Sequence, residues 1–222
     1  MRGLFVTGTG TGVGKSVVAA AICAALAQRG ERVAAFKPAV TGLDDDAGPW
    51  GQDHELLASV ATAGQRPEEV APYRFGPLVS PHHAAELAGE TIEPARLTAA
   101  AREAAEDADA LVCEGVGGLM VPLTPGYLVR DLALDLGLPL VVAAGPGLGT
   151  INHSVLTVES ARAAGLEVHA VVMGPWPEDA PAALRSNRET VERLAGVEVA
   201  VVPELRPGDL SAAALPVERW LG

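Results

Sequence analysis

Aromatic residues and cysteines are scarce in this chain of 222 residues. Because aromatic side chains make up only 4% of a sequence that is 49% hydrophobic, Ala, Val and Leu must fill the core. The two cysteines, Cys23 and Cys113, lie in apolar stretches, so we expect each to be a small buried hydrophobic residue. The sequence therefore predicts neither a disulfide nor a cysteine-bound metal.

Long apolar runs and positive charge are also lacking. No stretch approaches the ~20 apolar residues that a membrane-spanning helix needs, and the N-terminus has no signal-peptide pattern, so we expect a cytoplasmic protein. The formal net charge of -12 would repel nucleic acid and anionic membranes, and neither is expected as a main partner. An anionic substrate would have to be bound by local groups against this overall field.

Short apolar runs alternate with longer helical patterns along the chain. The runs are typical of strands that are covered on both faces, and they predict strands at 4–8, 32–38, 108–115, 138–145, 166–174 and 197–203. Helices are predicted at 14–29, 53–63, 94–107, 127–136, 151–164 and 181–194, with loops at 42–52, 72–81 and 174–181. This alternation predicts a single α/β domain, residues 1–222, with a doubly wound, mainly parallel sheet flanked by helices.

The segment "TGTGTGVGKS", residues 7–16, has the composition of a phosphate-binding loop but not its strict spacing. Thr9 stands where the first glycine of the usual pattern belongs, and Gly8 comes one residue too early. The end of the motif is intact and follows a predicted strand, which indicates a P-loop NTPase-like fold. The expected nucleotide-binding residues are Gly12, Val13, Gly14, Lys15 and Ser16. The side chain of Lys15 would reach the β- and γ-phosphates, and the hydroxyl of Ser16 would also hold Mg²⁺.

Two other interpretations of this loop are weaker. A glycine-rich turn without a ligand would not need Gly-Lys-Ser between a strand and a helix. A dinucleotide-binding fingerprint would not need Lys15 and Ser16, and no acidic residue ends the second predicted strand to bind a ribose.

Further polar residues follow the other predicted strands, where ligands bind in sheets of this class. Lys37 ends the second strand, and Glu114 follows the third, within reach of a metal ion at Ser16. Lys37 could instead be a solvated surface residue, and Glu114 a helix cap or a loop salt bridge. For Asp53, spacing alone favours a simple cap on the helix that follows it. The segment "GPGLGTINHS" after the fourth strand offers backbone N–H groups to an anion such as a substrate carboxylate.

Taken together, these motifs resemble those of the dethiobiotin synthetase family. The resemblance covers nearly the whole chain and rests on "VTGTGTGVGKS", "FKPAVTG", "SPHHAAE", "VCEGVGGLMVPL" and "LGTINHSVLT". It implies a homodimer that converts 7,8-diaminopelargonate, CO2 and Mg-ATP to dethiobiotin, ADP and phosphate. One amine would become a carbamate, the γ-phosphate would be transferred to the carbamate oxygen, and the second amine would close the ureido ring. The loop with one extra residue is itself characteristic of this family.

The resemblance also implies roles for individual residues, motif by motif. The catalytic residues would be Thr11, Lys15 and Lys37, which stabilise the carbamate and the transferring phosphoryl group. The metal ligands would be Ser16, Asp53 and Glu114. The substrate would be bound by Thr41 at its carbamate or diamine end and by Gly149, Thr150 and Asn152 at its tail carboxylate, the last three from the neighbouring subunit.

Three positions depart from the family pattern. Ser16 replaces a usual Thr, a nearly neutral change for Mg²⁺, and Gly147 stands where many members have Lys. Gly174 stands where the family often has an Asn that reads the adenine edge. Gly174, Pro175 and the loop after them would then cover the base by backbone and packing alone. We therefore expect weak base discrimination, with CTP or GTP accepted beside ATP.

Two other P-loop families are alternatives. A cobyrinate-type amidotransferase synthase shares the loop and the "FKP" strand but carries a glutaminase domain for which this chain is too short. A ParA/MinD-like partitioning ATPase would have a signature lysine at position 10, where this chain has Gly10. A plain nucleotide-binding regulator would leave Lys37, Glu114 and "GTINH" without a purpose.

Overall fold

Strands and helices alternate along the chain, as the apolar periodicity predicts. The structure is a computed structural model, and it describes residues 1–221 apart from the side chain of Ala212. Gly222, the end of the predicted domain, lies outside that range. The strands are β1 (Gly3–Gly8), β2 (Val33–Phe36), β3 (Ala110–Glu114), β4 (Pro122–Thr124), β5 (Tyr127–Leu128), β6 (Leu140–Ala144), β7 (Val168–Trp176) and β8 (Glu198–Pro203).

The helices lie between these strands and after the last of them. They are α1 (Lys15–Gln28), α2 (Asp53–Val60), α3 (Pro67–Val70), α4 (Pro81–Ala88), α5 (Pro94–Ala105), α6 (Val129–Leu136), α7 (Thr150–Ala163), α8 (Ala182–Ala195) and α9 (Val217–Leu221). Short 3-10 turns occupy Gly48–Trp50 and Leu210–Ala213.

Six strands form one parallel sheet in the order β2-β3-β1-β6-β7-β8. Because β1 lies at the centre, the chain leaves it first toward β2 and β3 and later toward β6, β7 and β8. Ligands in such sheets bind where the strand order reverses, beyond the carboxyl ends of the strands. The glycine-rich loop follows β1 at this point. The predicted α/β, doubly wound, parallel fold is confirmed.

Helices cover both faces of this sheet, and the alternation of side chains along each strand sorts the core into layers. In β3, for example, Val112 packs in the cluster that contains α1, whereas Cys113 packs on the opposite face against α5 and α6. A third cluster joins α7 and α8 to β6, β7 and β8. Cys23 and Cys113 are both fully buried and free, as predicted.

Two predicted boundaries are wrong because strand pairing extends further than the sequence pattern indicates. The helix predicted at 127–136 begins only at Val129, since Tyr127–Leu128 pair with β4 as an antiparallel ribbon. The loop predicted at 174–181 starts too early, because β7 continues through Gly174 and Pro175 to Trp176, which pairs with Pro203 of β8.

The helix predicted at 53–63 also ends early, at Val60. The Oγ1 atom of Thr62 accepts a hydrogen bond of 2.8 Å from the backbone N–H of Val33 at the edge of the sheet. This bond, together with the 2.9 Å bond from the N–H of Ala63 to the carbonyl of Val33, draws the chain away from the helix axis and onto β2.

Candidate active site

The glycine-rich loop connects β1 directly to the N-terminus of α1. Gly12 and Gly14 adopt φ angles of 75° and 84°, in the left-handed region that glycine tolerates without strain. The Nζ atom of Lys15 donates a hydrogen bond of 2.9 Å to the carbonyl of Gly10, so its ammonium group lies over the loop. The loop therefore combines backbone N–H groups, a helix N-terminus and a lysine at one point, as phosphate-binding sites do.

The strand register brings Lys37 and Glu114 together. Phe36 of β2 is paired with Cys113 of β3, so the residues that follow them lie side by side at the carboxyl ends of the two strands. Both side chains point to the face of the sheet that α1 covers. The Nζ atom of Lys37 lies 2.6 Å from Oε1 of Glu114 and 2.7 Å from Oδ2 of Asp53.

Burial makes this cluster unusual. Lys37 is 2% exposed and Glu114 is 0% exposed, and a charge without a partner would be strongly disfavoured at such positions. Lys37 is therefore not a solvated surface lysine. Asp53 is the first residue of α2, with Gln52 at the N-cap position, so the capping role that spacing favoured for Asp53 is wrong. Its carboxylate faces Lys37 and Ser16 instead.

Three side-chain oxygens converge beside Lys37. The Oγ atom of Ser16 lies 2.6 Å from Oδ1 of Asp53 and 2.9 Å from Oε1 of Glu114. The other carboxylate oxygen of Glu114, Oε2, is buried and has no hydrogen-bond partner among the described residues. A hydroxyl and two carboxylates, one of which has an unpartnered buried oxygen, form a donor set that suits Mg²⁺. This set has only two carboxylates, and no group of three or more His, Cys, Asp or Glu side chains that could hold a metal occurs across residues 1–221.

The electrostatic environment shifts the pKa values of the four ionisable groups in the site, which are Lys15, Lys37, Asp53 and Glu114. Burial lowers the pKa of Lys15. Burial also lowers the pKa of Lys37, but the charges and hydrogen bonds of its two carboxylate partners outweigh burial and raise it above the ordinary value. Burial raises the pKa of Asp53, but the charge and hydrogen bond of Lys37, the hydrogen bond of Ser16 and the charge of Lys15 together outweigh burial and lower it. Burial dominates at the fully enclosed Glu114 and raises its pKa. Lys37 thus remains a firmly protonated cation in this site.

These residues line one cavity of about 600 Å³. Of the predicted site residues, the structure brings together Thr11, Gly12, Gly14, Lys15, Ser16, Lys37, Thr41, Asp53 and Glu114. An apolar wall completes the cavity, and the sequence pattern did not point to it; its residues are Ala39, Trp50, Leu78, Val79, Pro81, Val116 and Val121. One part of the cavity is therefore lined by charged side chains, and the adjacent part is lined by an apolar surface that suits an alkyl chain.

The remaining predicted residues do not line this cavity. Val13 packs its side chain against the core, so only its backbone can face a ligand. Gly149, Thr150 and Asn152 lie at the start of α7, on the other side of β1. Gly174 and Pro175 lie near the end of β7, two strands away from β1.

One compositional signal could have marked the site more sharply. The chain contains two lysines, Lys15 and Lys37, and all its other cationic side chains except histidines are arginines. Both lysines lie in this cavity. In a chain that otherwise uses arginine on its surface, a compact ammonium at these two positions indicates a chemical requirement.

Comparisons with known proteins agree with this geometry. A family model described as an AAA domain matches residues 2–209. ATP-dependent dethiobiotin synthetase BioD of Anaeromyxobacter dehalogenans (strain 2CP-1 / ATCC BAA-258) is 43% identical over 195 residues, which are 87% of this chain and 86% of that protein. The chain belongs to the dethiobiotin synthetase family. The synthetase of the same name from Bacillus subtilis (strain 168) is 33% identical over 206 residues, 92% of this chain and 88% of the relative. As a member of the dethiobiotin synthetase family, the protein is a ligase.

Solved structures show the same fold at low sequence identity. The cell division ATPase MinD of Pyrococcus furiosus covers 100% of this chain with a TM-score of 0.54 and 19% identity, over 90% of its own length. The MinC:MinD complex of Aquifex aeolicus gives a TM-score of 0.58 at 14% identity, over 98% of this chain and 87% of the other. These matches confirm the P-loop NTPase fold of this dethiobiotin synthetase family member. Within residues 1–221, no helix is long and apolar enough to cross a membrane.

Removing the charge of Lys37 tests the buried cluster. Lys37→Met would leave the fully enclosed Glu114 without its cation, and we expect this to lower the free energy of unfolding by about 3–5 kcal/mol. The double variant Lys37→Met/Glu114→Gln removes both charges and should regain most of that loss. Urea unfolding of the three proteins measures the effect. A single variant as stable as the unmodified chain, or a double variant no more stable than the single one, would contradict it.

Proposed function

We propose that this protein catalyses the ATP- and Mg²⁺-dependent carboxylation and ring closure of 7,8-diaminopelargonate with CO2 to dethiobiotin, ADP and phosphate. The observation that carries this proposal is the single cavity in which a phosphate loop, Lys37 and two carboxylates lie next to an apolar wall. The names of relatives that are 33–43% identical over about nine-tenths of the chain support it. We further propose that residues 1–222 act as one domain.

Nucleotide binding is assigned to the loop and the residues around it. The N–H groups of Gly12, Val13 and Gly14 and the N-terminus of α1 would hold the phosphates, with Lys15 at the β- and γ-positions. Ser16, Asp53 and Glu114 would hold Mg²⁺, which neutralises phosphate charge and aligns the transferred group when it is bound. Because the chain as a whole carries a charge of -12, binding of an anionic nucleotide would depend on these local groups: the N–H groups of the loop, the N-terminus of α1, Lys15 and bound Mg²⁺.

The reaction would proceed in three steps. An amine of the substrate combines with CO2 to give a carbamate and releases a proton. A carbamate oxygen attacks the γ-phosphorus, ADP leaves, and a carbamic-phosphoric anhydride forms. The second amine then attacks the carbamate carbon, loses a proton and expels phosphate, which closes the ureido ring. Thr11, Lys15 and Lys37 would stabilise the negative charge on the carbamate and the phosphoryl group, and Thr41 would bind the diamine end.

Positioning accounts for much of the expected rate. Phosphoryl transfer needs charge neutralisation and alignment more than it needs covalent chemistry from the protein. Holding carbamate and amine on one bound chain makes ring closure an intramolecular step, and such positioning can contribute ~7–11 kcal/mol. The apolar wall, which includes Leu78 and Val116, suits the alkyl chain of the diamino acid.

The tail carboxylate is assigned to Gly149, Thr150 and Asn152 of a second copy of the chain. These residues do not line the cavity of their own subunit. Leu148 beside them is fully exposed, at 106% of its reference area, and Leu156 on the same helix is 55% exposed. Exposed apolar side chains next to a proposed anion site support a homodimer whose site is completed across the subunit interface.

No observation favours a partitioning ATPase over a synthetase. Similarity to MinD and ParA structures at 14–19% identity concerns the fold alone. Position 10 is occupied by Gly10, whose carbonyl accepts a hydrogen bond from Lys15. The cobyrinate-type alternative gains no support from the relatives, whose names are those of dethiobiotin synthetases.

Product formation tests the proposed activity. Purified protein incubated with 7,8-diaminopelargonate, bicarbonate, Mg²⁺ and ATP should form dethiobiotin, detected by mass. Lys15→Gln should lower kcat by about 10²–10³-fold, because it removes a charge that stabilises the transferring phosphoryl group. Arg193→Gln, at an exposed position in the last turn of α8, is the matched control and should leave kcat unchanged. Nucleotide binding without any dethiobiotin would mean another substrate.

Base selectivity is proposed to be relaxed, with CTP or GTP accepted beside ATP. Gly174 has no side chain that could read a base edge. The space there is also narrow, since a Cβ atom at this position would lie 3.1 Å from the carbonyl oxygen and 3.3 Å from the Cβ of Val202 in β8. Strand β8 therefore packs where a larger side chain would begin, and recognition of the base falls to the backbone and to the loop after Trp176.

Competition binding among ATP, CTP and GTP tests this selectivity. We expect the three affinities to lie within a factor of about 100, roughly 2.7 kcal/mol, because no side-chain amide distinguishes the bases at position 174. A preference for ATP beyond that factor would contradict relaxed selectivity and leave the synthetase assignment intact. Turnover with each nucleotide in the dethiobiotin assay is the matching kinetic measurement.

Subunit complementation tests the shared site. Lys15→Gln inactivates the cavity, and Asn152→Asp places a negative charge against the substrate's tail carboxylate. When the two variants are mixed and their subunits exchange at random, half of the dimers contain one subunit of each variant. In each such dimer, one of the two sites combines an intact cavity with the intact residues 149–152 of the other subunit. Activity should therefore recover to about a quarter of the unmodified level. No recovery after subunit exchange, or a monomeric mass by light scattering, would contradict the shared site.

A further inference from the structure

The loop between β6 and α7, residues 145–149, has almost no packing of its own. Three of its five residues are glycines, and a Cβ atom at Gly145 or Gly147 would have no neighbour within 4 Å. Leu148 is fully exposed. The backbone bonds from Thr150 N–H to the carbonyl of Gly147, 3.2 Å, and from His153 N–H to that of Gly149, 3.1 Å, stay within the loop and the first turn of α7. They fix the shape of the turn, but they do not connect residues 145–149 to α8 or to any other element outside β6 and α7.

A side chain from a distant part of the sequence holds this loop. Asn187 lies in the second turn of α8, and its Nδ2 atom donates a hydrogen bond of 3.0 Å to the carbonyl of Pro146. The same amide lies 3.4 Å from the carbonyl of Gly147. Among the residues that the structure describes, no other side chain donates a hydrogen bond to this loop. An amide with two N–H donors suits two adjacent carbonyl oxygens, which a carboxylate at the same position would repel.

The two helices are held to each other at their other ends as well. Arg162, in the last turn of α7, donates to the carbonyl of Ala195 at the end of α8. Asn187 and Arg162 therefore join α7 and α8 at opposite ends of the pair, and only the bond of Asn187 acts on the loop. With Arg162 still in place, loss of the Asn187 amide should free the loop without separating the helices.

We propose that Asn187 is a positioning residue for the substrate's tail carboxylate: its amide fixes the loop 145–149 and so sets the place of the N–H groups at Gly149 and Thr150. This inference rests on the proposed function, which assigns the tail carboxylate to that turn. Asn187 does not contact the substrate, and its effect passes through the backbone of Pro146 and Gly147. Gly147 offers no side chain that could hold the loop instead.

Steady-state kinetics of three variants test this role. Asn187→Ala removes the donors, and Asn187→Asp keeps the size of the side chain but turns attraction to the carbonyls into repulsion. Ser186→Ala, at the exposed neighbouring position, is the matched control. We expect kcat/KM for 7,8-diaminopelargonate to fall about tenfold in Asn187→Ala, and at least as far in Asn187→Asp. KM for the nucleotide should not change.

A substrate without the tail separates positioning from general damage. For nonane-2,3-diamine, which has the same vicinal amines but no carboxylate, kcat/KM should be the same in Asn187→Ala and in Ser186→Ala. An equal fall for both diamines, or no fall for the diamino acid, would overturn the assignment.

Amide hydrogen exchange provides a readout that does not depend on turnover. Exchange at residues 147–150 should be faster in Asn187→Ala than in Ser186→Ala, while exchange in the middle of α7 stays the same. Unchanged exchange in the loop would overturn the proposed tether. If the unmodified protein formed no dethiobiotin, the proposed function and the substrate named here would fail together, but exchange would still report whether Asn187 holds the loop.

Discussion

The bond of Lys37 to Glu114 and Asp53 is the interaction on which the site depends. A buried lysine and a buried glutamate are each unfavourable alone, and they are tolerated here because each neutralises the other at 2.6 Å. Glu114 ends β3, Lys37 follows β2 and Asp53 begins α2. A shift of one residue between β2 and β3 would move one of the charges to the opposite face of the sheet. The charged cluster can therefore form only with the observed register between β2 and β3.

The order of the strands in the sheet determines which parts of the proposed site lie on each side of β1. The phosphate loop follows the central strand β1, and the charged cluster lies on the side of β2 and β3. The loop before α7 lies on the side of β6, outside the cavity, next to exposed leucines. In the proposed site, one chain would supply the phosphoryl-transfer half, and the loop before α7 of a neighbouring copy would supply the tail-binding half. A symmetric dimer would join the two halves twice.

How much the sequence predicts depends on how local each feature is. The strands, the glycine-rich loop, Lys37 and Glu114 follow from apolar runs and from residues placed just after them. The role of Asp53 as a metal ligand was predicted only from the family resemblance, because spacing alone favours an ordinary helix cap at this position. The apolar wall and Asn187 could not be predicted, since the wall comes from separate loops and the amide reaches a carbonyl 41 residues away in the sequence. The β4–β5 ribbon was missed for a related reason, because its strands of 3 and 2 residues are too short for a period to appear.

The most direct test of this account is the reactivity of the two lysine amines toward acetylation, measured residue by residue by mass spectrometry on the native protein. The chain has no other lysine, so the signals are unambiguous. Burial lowers the pKa of Lys15, whereas the two carboxylates raise that of Lys37, and only the free base reacts. Lys37 should therefore react at least about tenfold more slowly than Lys15, and Glu114→Gln should remove much of this difference. Equal reactivity of both lysines, or a rate at Lys37 that Glu114→Gln leaves unchanged, would contradict the account.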